Sequence, residues 1–303
     1  MDVLRYDERA CLKLRTLYSQ HGYTQYRMSR FEEYSLYAEN IDFLASGDII
    51  TFTGKSGKLM ALRPDVTLSI VKSTGGQSRK LYYNENVYRP AVPGGDFKER
   101  MQVGIECIGA IDVCSIGEVV MLAKRSLELL DECACLDISH MGFLSGLLQS
   151  VQTTPLQEKE ILRCINQKNS PELNLLCTEY SLGSRFRDEI MALTALRGSY
   201  DEILPELRRI GGSGCADALS ELEELGKVLH ELDAAENVYI DFSIESDLRY
   251  YSGVIFQGYL EGVPTKILSG GRYDKLLRKF GIKESGAIGF AVYLDLLERL
   301  EEL

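Results

Sequence analysis

The chain has 303 residues, 45% of them apolar and 26% charged, which is enough to bury a large core and ordinary for a folded globular protein. Its net charge of -11 removes the general attraction to phosphate backbones on which nucleic-acid binding draws, so tRNA is not an expected partner. No apolar run reaches the roughly 18 residues that a bilayer span needs, and the N-terminus has no signal-peptide core; the expectation is a cytoplasmic protein with no membrane contact.

The eight cysteines are scattered among apolar neighbours, and the nearest pair, Cys133 and Cys135, has neither zinc-site spacing nor a matching second pair. His21, His140 and His230 stand in unrelated contexts. Buried reduced thiols are expected, with no metal site and no resident cofactor.

In chain order, Cys11, Leu14, Leu17 and Tyr18 mark one face of an opening helix that Gly22 stops. An extended piece from Tyr23 leads to a short acidic and aromatic helix around Phe31 to Tyr34. Ile49 to Thr53 and Lys58 to Leu62 form a hairpin turned at Gly54-Lys55-Ser56-Gly57. Pro64 suits the first position of the next helix, and Asp65 reads locally as a carboxylate placed near a helix N-terminus.

Leu81 to Gly109 is a long hairpin with Pro90, Pro93, Gly94 and Gly95 in its loop. Its second strand sets Met101, Val103, Ile105 and Cys107 toward a core and Gln102, Gly104 and Glu106 on the other face. That second face is either solvated or a ligand surface, with Gly104 leaving room between an amide and a carboxylate. Ser115 to Leu136 reads as one helix, and Ser139 to Ala235 reads as all-helical. Residues 137–236 are thus expected to be a helical insertion in a discontinuous core of 1–136 and 237–303.

Strands return at Val238 to Ile244, Tyr250 to Leu260 and Thr265 to Leu268. Hairpins on both sides of a helical block predict an α+β fold, a mainly antiparallel sheet flanked by helices. In the last part of the chain, Tyr250-Tyr251-Ser252-Gly253 and the loop Ser269-Gly270-Gly271-Arg272-Tyr273-Asp274 look like a small-molecule site, with the glycines letting backbone approach a ligand.

Together, Leu62 to Thr67, Val87-Tyr88-Arg89, Gln102 to Glu106, Tyr250 to Gly253 and Gly270 to Asp274 resemble, in order and spacing, the catalytic core of histidyl-tRNA synthetase. The resemblance implies a class II aminoacyl-tRNA synthetase fold with a six- or seven-stranded antiparallel sheet, dimerised around Gly22 to Tyr34. It places Asp65, Thr67, Gln102, Glu106 and Tyr250 or Tyr251 where that family holds histidine, and Arg89 where an arginine reaches the ligand carboxylate. Asp65 is one methylene shorter than the glutamate usual there.

The departures from the family are specific. Leu296 stands where a phosphate-clamping arginine is expected, Ser246 where a second arginine promotes adenylate formation, and the chain stops at Leu303, before an anticodon-binding domain. An arginine finger in a related phosphoryl transfer is worth roughly 10³ to 10⁵ in rate, so efficient aminoacylation is not expected. A synthetase core with a histidine pocket and a damaged ATP site resembles the regulatory subunits of ATP phosphoribosyltransferase. These partner a short-form catalytic subunit in a hetero-octamer, dimerise within it and confer allosteric feedback inhibition by histidine in histidine biosynthesis. The alternatives are a residual histidine-activating enzyme that forms an adenylate, or a synthetase paralogue with another partner.

Overall fold

The computed structural model describes residues 4–44, 47–90, 94–244 and 250–300, the last three as backbone only. Helix α1 (Tyr6–Gln20) buries Ala10, Cys11, Leu14 and Tyr18 along the face that the spacing predicts, and the chain turns just beyond it at Gly22, where φ is +81°. Strand β1 (Thr24–Gln25) follows. Phe31–Glu33 is strand β2 rather than the start of a helix, because it pairs antiparallel with Met60 to Leu62; helix α2 (Tyr34–Ala38) begins only afterwards. Tertiary pairing overrides local preference there.

Strands β3 (Thr51–Thr53) and β4 (Leu59–Leu62) form the expected hairpin, and with β2 they make a small antiparallel sheet in the order β2-β4-β3. Phe31 and Phe52 meet edge to face on it, ring centres 5.7 Å apart, and stay 49% and 40% exposed. Helix α3 (Thr67–Thr74) starts later than Pro64 suggests. Arg63, restricted by the following proline, stays in line for its carbonyl to accept from the N–H of Tyr88 at 2.9 Å.

Strands β5 (Arg79–Pro90) and β6 (Phe97–Gly109) are the long hairpin. Helix α4 (Val113–Glu128) is capped by Asp112, whose carboxylate accepts from the N–H of Ser115 at 2.8 Å. It stops well short of Leu136. Asp131 turns the chain, accepting from the N–H groups of Cys133 and Ala134, and β7 (Cys135–His140) enters the sheet. The short apolar series Ala134, Leu136 and Ile138 fits a helix stripe or a strand equally, which is why the pattern misleads.

The following block holds α5 (Met141–Gln149), α6 (Pro155–Asn166), α7 (Ser170–Glu179) and α8 (Ser184–Ala195), then β8 (Arg197–Ser199), α9 (Tyr200–Ile210) and α10 (Ala216–Glu231). It is not helical throughout, since β8 and most of β7 fall inside it and both join the main sheet. The chain closes with β9 (Val238–Asp241), β10 (Val254–Tyr259), β11 (Leu268–Arg272), α11 (Asp274–Lys279) and β12 (Gly286–Tyr293).

The main sheet has nine strands in the order β1-β5-β6-β12-β11-β10-β7-β9-β8. From β5 to β7 every neighbour is antiparallel, giving the six-stranded centre that the resemblance implies. The excess over six or seven lies at the ends, where β1 runs parallel to β5, β9 parallel to β7 and β8 antiparallel to β9.

Alternation along the strands divides the core in two. Tyr82, Val103, Ile105, Cys107, Ile288, Phe290 and Val292 face a large cluster with α1, α4 and the helices of the block. Leu81, Tyr83, Val87, Ile108 and Ala287 face a smaller cluster under α2, α3 and α11. Gly258 shows how close the first face packs: a Cβ there would lie 2.4 Å from Leu127 of α4.

Candidate functional site

The candidate site lies on the face of the smaller cluster. Glu106 projects from β6 on the same side as Gln102 and Gly104, and its carboxylate is 2% exposed. One oxygen accepts the hydroxyl of Thr67, at the start of α3, at 2.7 Å; the other accepts the hydroxyl of Tyr273, just past the end of β11. Across the ladder stands Gly289, where any Cβ would sit 2.0 Å from Oε2 of Glu106. The glycine is what gives the carboxylate its place.

The Glu106 carboxyl is pushed up to about 8, chiefly by burial and in smaller part by the nearby Asp65, with the hydrogen bonds from Tyr273 and Thr67 pulling the other way. Asp65 is half-buried and accepts the N–H of Leu68 at 2.9 Å, so its expected place beside a helix N-terminus is real. Burial raises its pKa too; the Leu68 N–H and the charge of Arg89 oppose that. One reading does not displace the other, because Asp65 both caps α3 and contributes to the field at Glu106.

The tyrosines form the wall. Tyr250 packs on Tyr251 with ring centres 4.6 Å apart, on Tyr273 at 5.9 Å and on Phe43 at 5.8 Å. Burial drives the Tyr250 and Tyr273 hydroxyls well above the ordinary tyrosine value, and the acids Asp65 and Glu106 add to the shift at Tyr250. Tyr251 lies against Gly271, where a Cβ would fall 2.9 Å from its ring.

Two expectations about glycine change. The space over Gly104 is filled by the hydroxyl of Tyr83, 2.6 Å from where a Cβ would be, rather than left open. The double glycine is not a loop: Gly270 and Gly271 are inside β11, and a Cβ on Gly270 would meet Phe290 and the carbonyl of Gly289 at 2.4 Å. These glycines admit neighbouring protein atoms.

Thr67, Glu106 and Tyr273 are directly bonded, with Asp65 and Tyr250 around them. Gln102 and Arg89 share their face further along the hairpin, since Gln102 pairs with Glu85 and Arg89 lies on the same side of β5 as Glu85. Gln102 is 5% exposed, and among the described residues neither its amide nor the half-buried Arg89 guanidinium has a hydrogen-bond or ion-pair partner. Between them the two side chains thus carry donors and an acceptor that a ligand on this face could use.

Sequence reasoning missed Tyr273 and Tyr83 as parts of the site and Arg63 as a structural support beneath it. Arg63 is fully buried beneath β5, donating to Glu85 at 2.8 Å, to the Asn86 carbonyl at 2.8 Å and to the Ser29 carbonyl at 2.7 Å. Its place directly before Pro64 was the available signal. Leu296 is partly buried and packs against the large cluster, while Ser246 lies outside the described residues. Among the described residues no group of His, Cys, Asp and Glu side chains could hold a metal ion, and no helix is long and apolar enough to cross a membrane.

Residues 3–297 match the model of the histidyl-tRNA synthetase family. An ATP phosphoribosyltransferase regulatory subunit of Ruminiclostridium cellulolyticum is 28% identical over 94% of this chain and 70% of its own length. A histidine–tRNA ligase of Methanocaldococcus jannaschii is 30% identical over 93% of this chain and 69% of its own length. A solved structure described as an ATP phosphoribosyltransferase regulatory subunit/histidyl-tRNA synthetase, from Bacillus halodurans, superimposes with a TM-score of 0.86 at 27% identity, covering 98% of this chain and 80% of that one. The class II fold is thereby shared with proteins of both names.

Proposed function

The chain belongs to the histidyl-tRNA synthetase family, and from that premise we propose that it is a non-catalytic regulatory subunit of ATP phosphoribosyltransferase. In this reading it binds histidine on the Glu106 face and passes occupancy to a short-form catalytic subunit as feedback inhibition. The observation that carries the choice between the two family names is Leu296. Where the resemblance calls for a cation against phosphate oxygens, an apolar side chain packs into the core and offers no donor.

The pocket suits the ligand chemically. Glu106 and Asp65 can accept the imidazole N–H and the ammonium, Thr67 and Gln102 add neutral partners, Tyr250 or Tyr251 gives an aromatic wall, and Arg89 suits the carboxylate. Inhibition requires histidine to bind the active and inhibited assemblies with different affinity, a coupling of about 1–3 kcal/mol in typical cases. The assembly is read as cytoplasmic and hetero-octameric, with self-association near Gly22 to Tyr34. All eight cysteines are free thiols, which suits a reducing compartment.

The test is co-expression with a short-form phosphoribosyltransferase, followed by co-purification and an activity assay with and without histidine. Activity that needs this chain and falls with histidine is the expected outcome. A catalytic subunit that neither binds it nor responds would overturn the reading. Arg89 and the ligase relative favour a second reading, an adenylate-forming enzyme, and sustained ATP–pyrophosphate exchange with histidine would establish that one instead.

A further inference from the structure

A second polar network lies outside the pocket and is tied to it. Glu221 projects from α10. One of its oxygens faces Nε2 of His140 at 3.1 Å, and the other accepts from Nη1 of Arg272 at 3.4 Å. Nδ1 of His140 accepts the N–H of Gly142, also at 3.1 Å, so the ring proton sits on Nε2 and is donated to Glu221. Arg272 completes the chain by donating from Nε to Asp274 at 2.9 Å. Gly253 makes space for this pair: a Cβ there would lie 3.1 Å from the Arg272 side chain and 3.4 Å from Glu221.

The segments that hold this network are those that carry the tyrosine wall. Ser252, next to Tyr251, donates its N–H to the Arg272 carbonyl at 2.9 Å, and its hydroxyl accepts the N–H of Asp274 at 3.1 Å. Between Arg272 and Asp274 stands Tyr273, whose N–H donates to the carbonyl of Ala287 at 2.8 Å; the N–H of Ala287 in turn donates to Asp274 at 3.1 Å. The helical block grips the same place again where the N–H of Met141 donates to the Gly253 carbonyl at 2.9 Å.

We propose that Glu221 and Arg272 are positioning residues: through them helix α10 sets where Tyr273 and Tyr250 stand, and so shapes the pocket around Glu106. This rests on the reading of that pocket as a histidine site. It gives α10, in the block between the two sheet halves, a direct means of altering ligand affinity without touching the ligand. The side chains at the link, 26% exposed at Glu221 and 23% at Arg272, are sheltered enough for the bonds to persist.

The experiment uses the full chain with tyrosine labelled with ¹³C at the ring Cζ, the Tyr273 signal being assigned by Tyr273→Phe. Glu221→Leu and Arg272→Met should each shift the Tyr273 signal and weaken histidine binding in calorimetry by about fivefold or more, the lower end of usual site-to-site couplings. Arg272→Lys, which keeps a cation for Glu221, should restore both. The paired variants approach the link from opposite sides, so failure of one to fold leaves the other to decide. A folded variant of either kind with the parent's Tyr273 signal overturns the proposal. If the unaltered chain takes up no histidine while the Tyr273 signal still moves, the positioning role stands and the histidine reading falls.

Discussion

Tyr273 donates its hydroxyl to the carboxylate of Glu106 from 167 residues further along the chain, joining the end of β11 to the middle of β6. Both oxygens of Glu106 are met by hydroxyls, the charge of Asp65 repels it, and among the described residues no cation is bonded to it. The fold therefore holds this carboxyl in a state that a positively charged ligand would alter.

The pH dependence follows from the direction of the shift. The Glu106 carboxyl is raised to about 8 in the folded chain, so the folded state holds a proton that the unfolded state has released above its ordinary value near 4.5. Stability from this group is full below about 4.5 and declines as pH rises toward 8, because the folded chain keeps a proton that the unfolded chain has released. Glu106→Gln removes the decline. Thermal melts of the two proteins should coincide near the acid end and separate in favour of the variant by pH 8; parallel curves across the range would refute the assignment.

Arg89 makes no hydrogen bond or ion pair among the described residues, and its charge acts on Asp65 from a distance. Arg89→Ala should leave the free energy of unfolding within about 0.5 kcal/mol of the parent, because it breaks no hydrogen bond or ion pair among the described residues. It should weaken histidine by about tenfold or more, the worth of a hydrogen bond to a charged group. Unchanged affinity in calorimetry would move the ligand carboxylate elsewhere.

Arg63 should act on stability alone. Its guanidinium is wholly enclosed, and Glu85, 17% exposed, depends on it. Arg63→Met leaves that carboxylate and two carbonyls without their donor, a loss of about 3–5 kcal/mol for one partner of a buried pair. Arg63→Met with Glu85→Leu should recover much of the loss in denaturant unfolding, since the cost is an unpaired charge rather than missing volume.

Phe31, Phe52 and Leu59 are exposed apolar side chains of the small sheet, and Phe31 lies within the segment where self-association is proposed. Phe31→Asp should convert dimers to monomers in sedimentation velocity while the far-ultraviolet circular dichroism stays the same. Persistent dimers would place the contact on another face.

Much of this was legible in the sequence. Strict alternation in Met101 to Ile108 assigned the two faces of β6 and with the resemblance pointed to Gln102 and Glu106, while Asp65 and Thr67 came from the resemblance alone. What failed depended on distant pairing. Phe31–Glu33 becomes a strand because β4 lies beside it, and Cys135–His140 does so because it fits between β10 and β9. Gly270 and Gly271 were legible as glycines but not as sheet residues, since the atoms that exclude a side chain there come from β10 and β12. Tyr273 was in view within its motif, yet its partner Glu106 is set by register, which no local pattern encodes.

The ends of the main sheet are β1 and β8, of two and three residues. A sheet this wide offers many unpaired backbone groups to a neighbouring molecule if its outer strands are long, and such an edge recruits further strands without limit. On one side β1 reaches only Leu81 and Tyr82 of β5, and beyond it Arg63 covers the β5 edge, its carbonyl accepting from the Tyr88 N–H and its guanidinium donating to the Asn86 carbonyl; that cover, with the three-residue β8 on the other side, is what blunts lateral growth of the sheet.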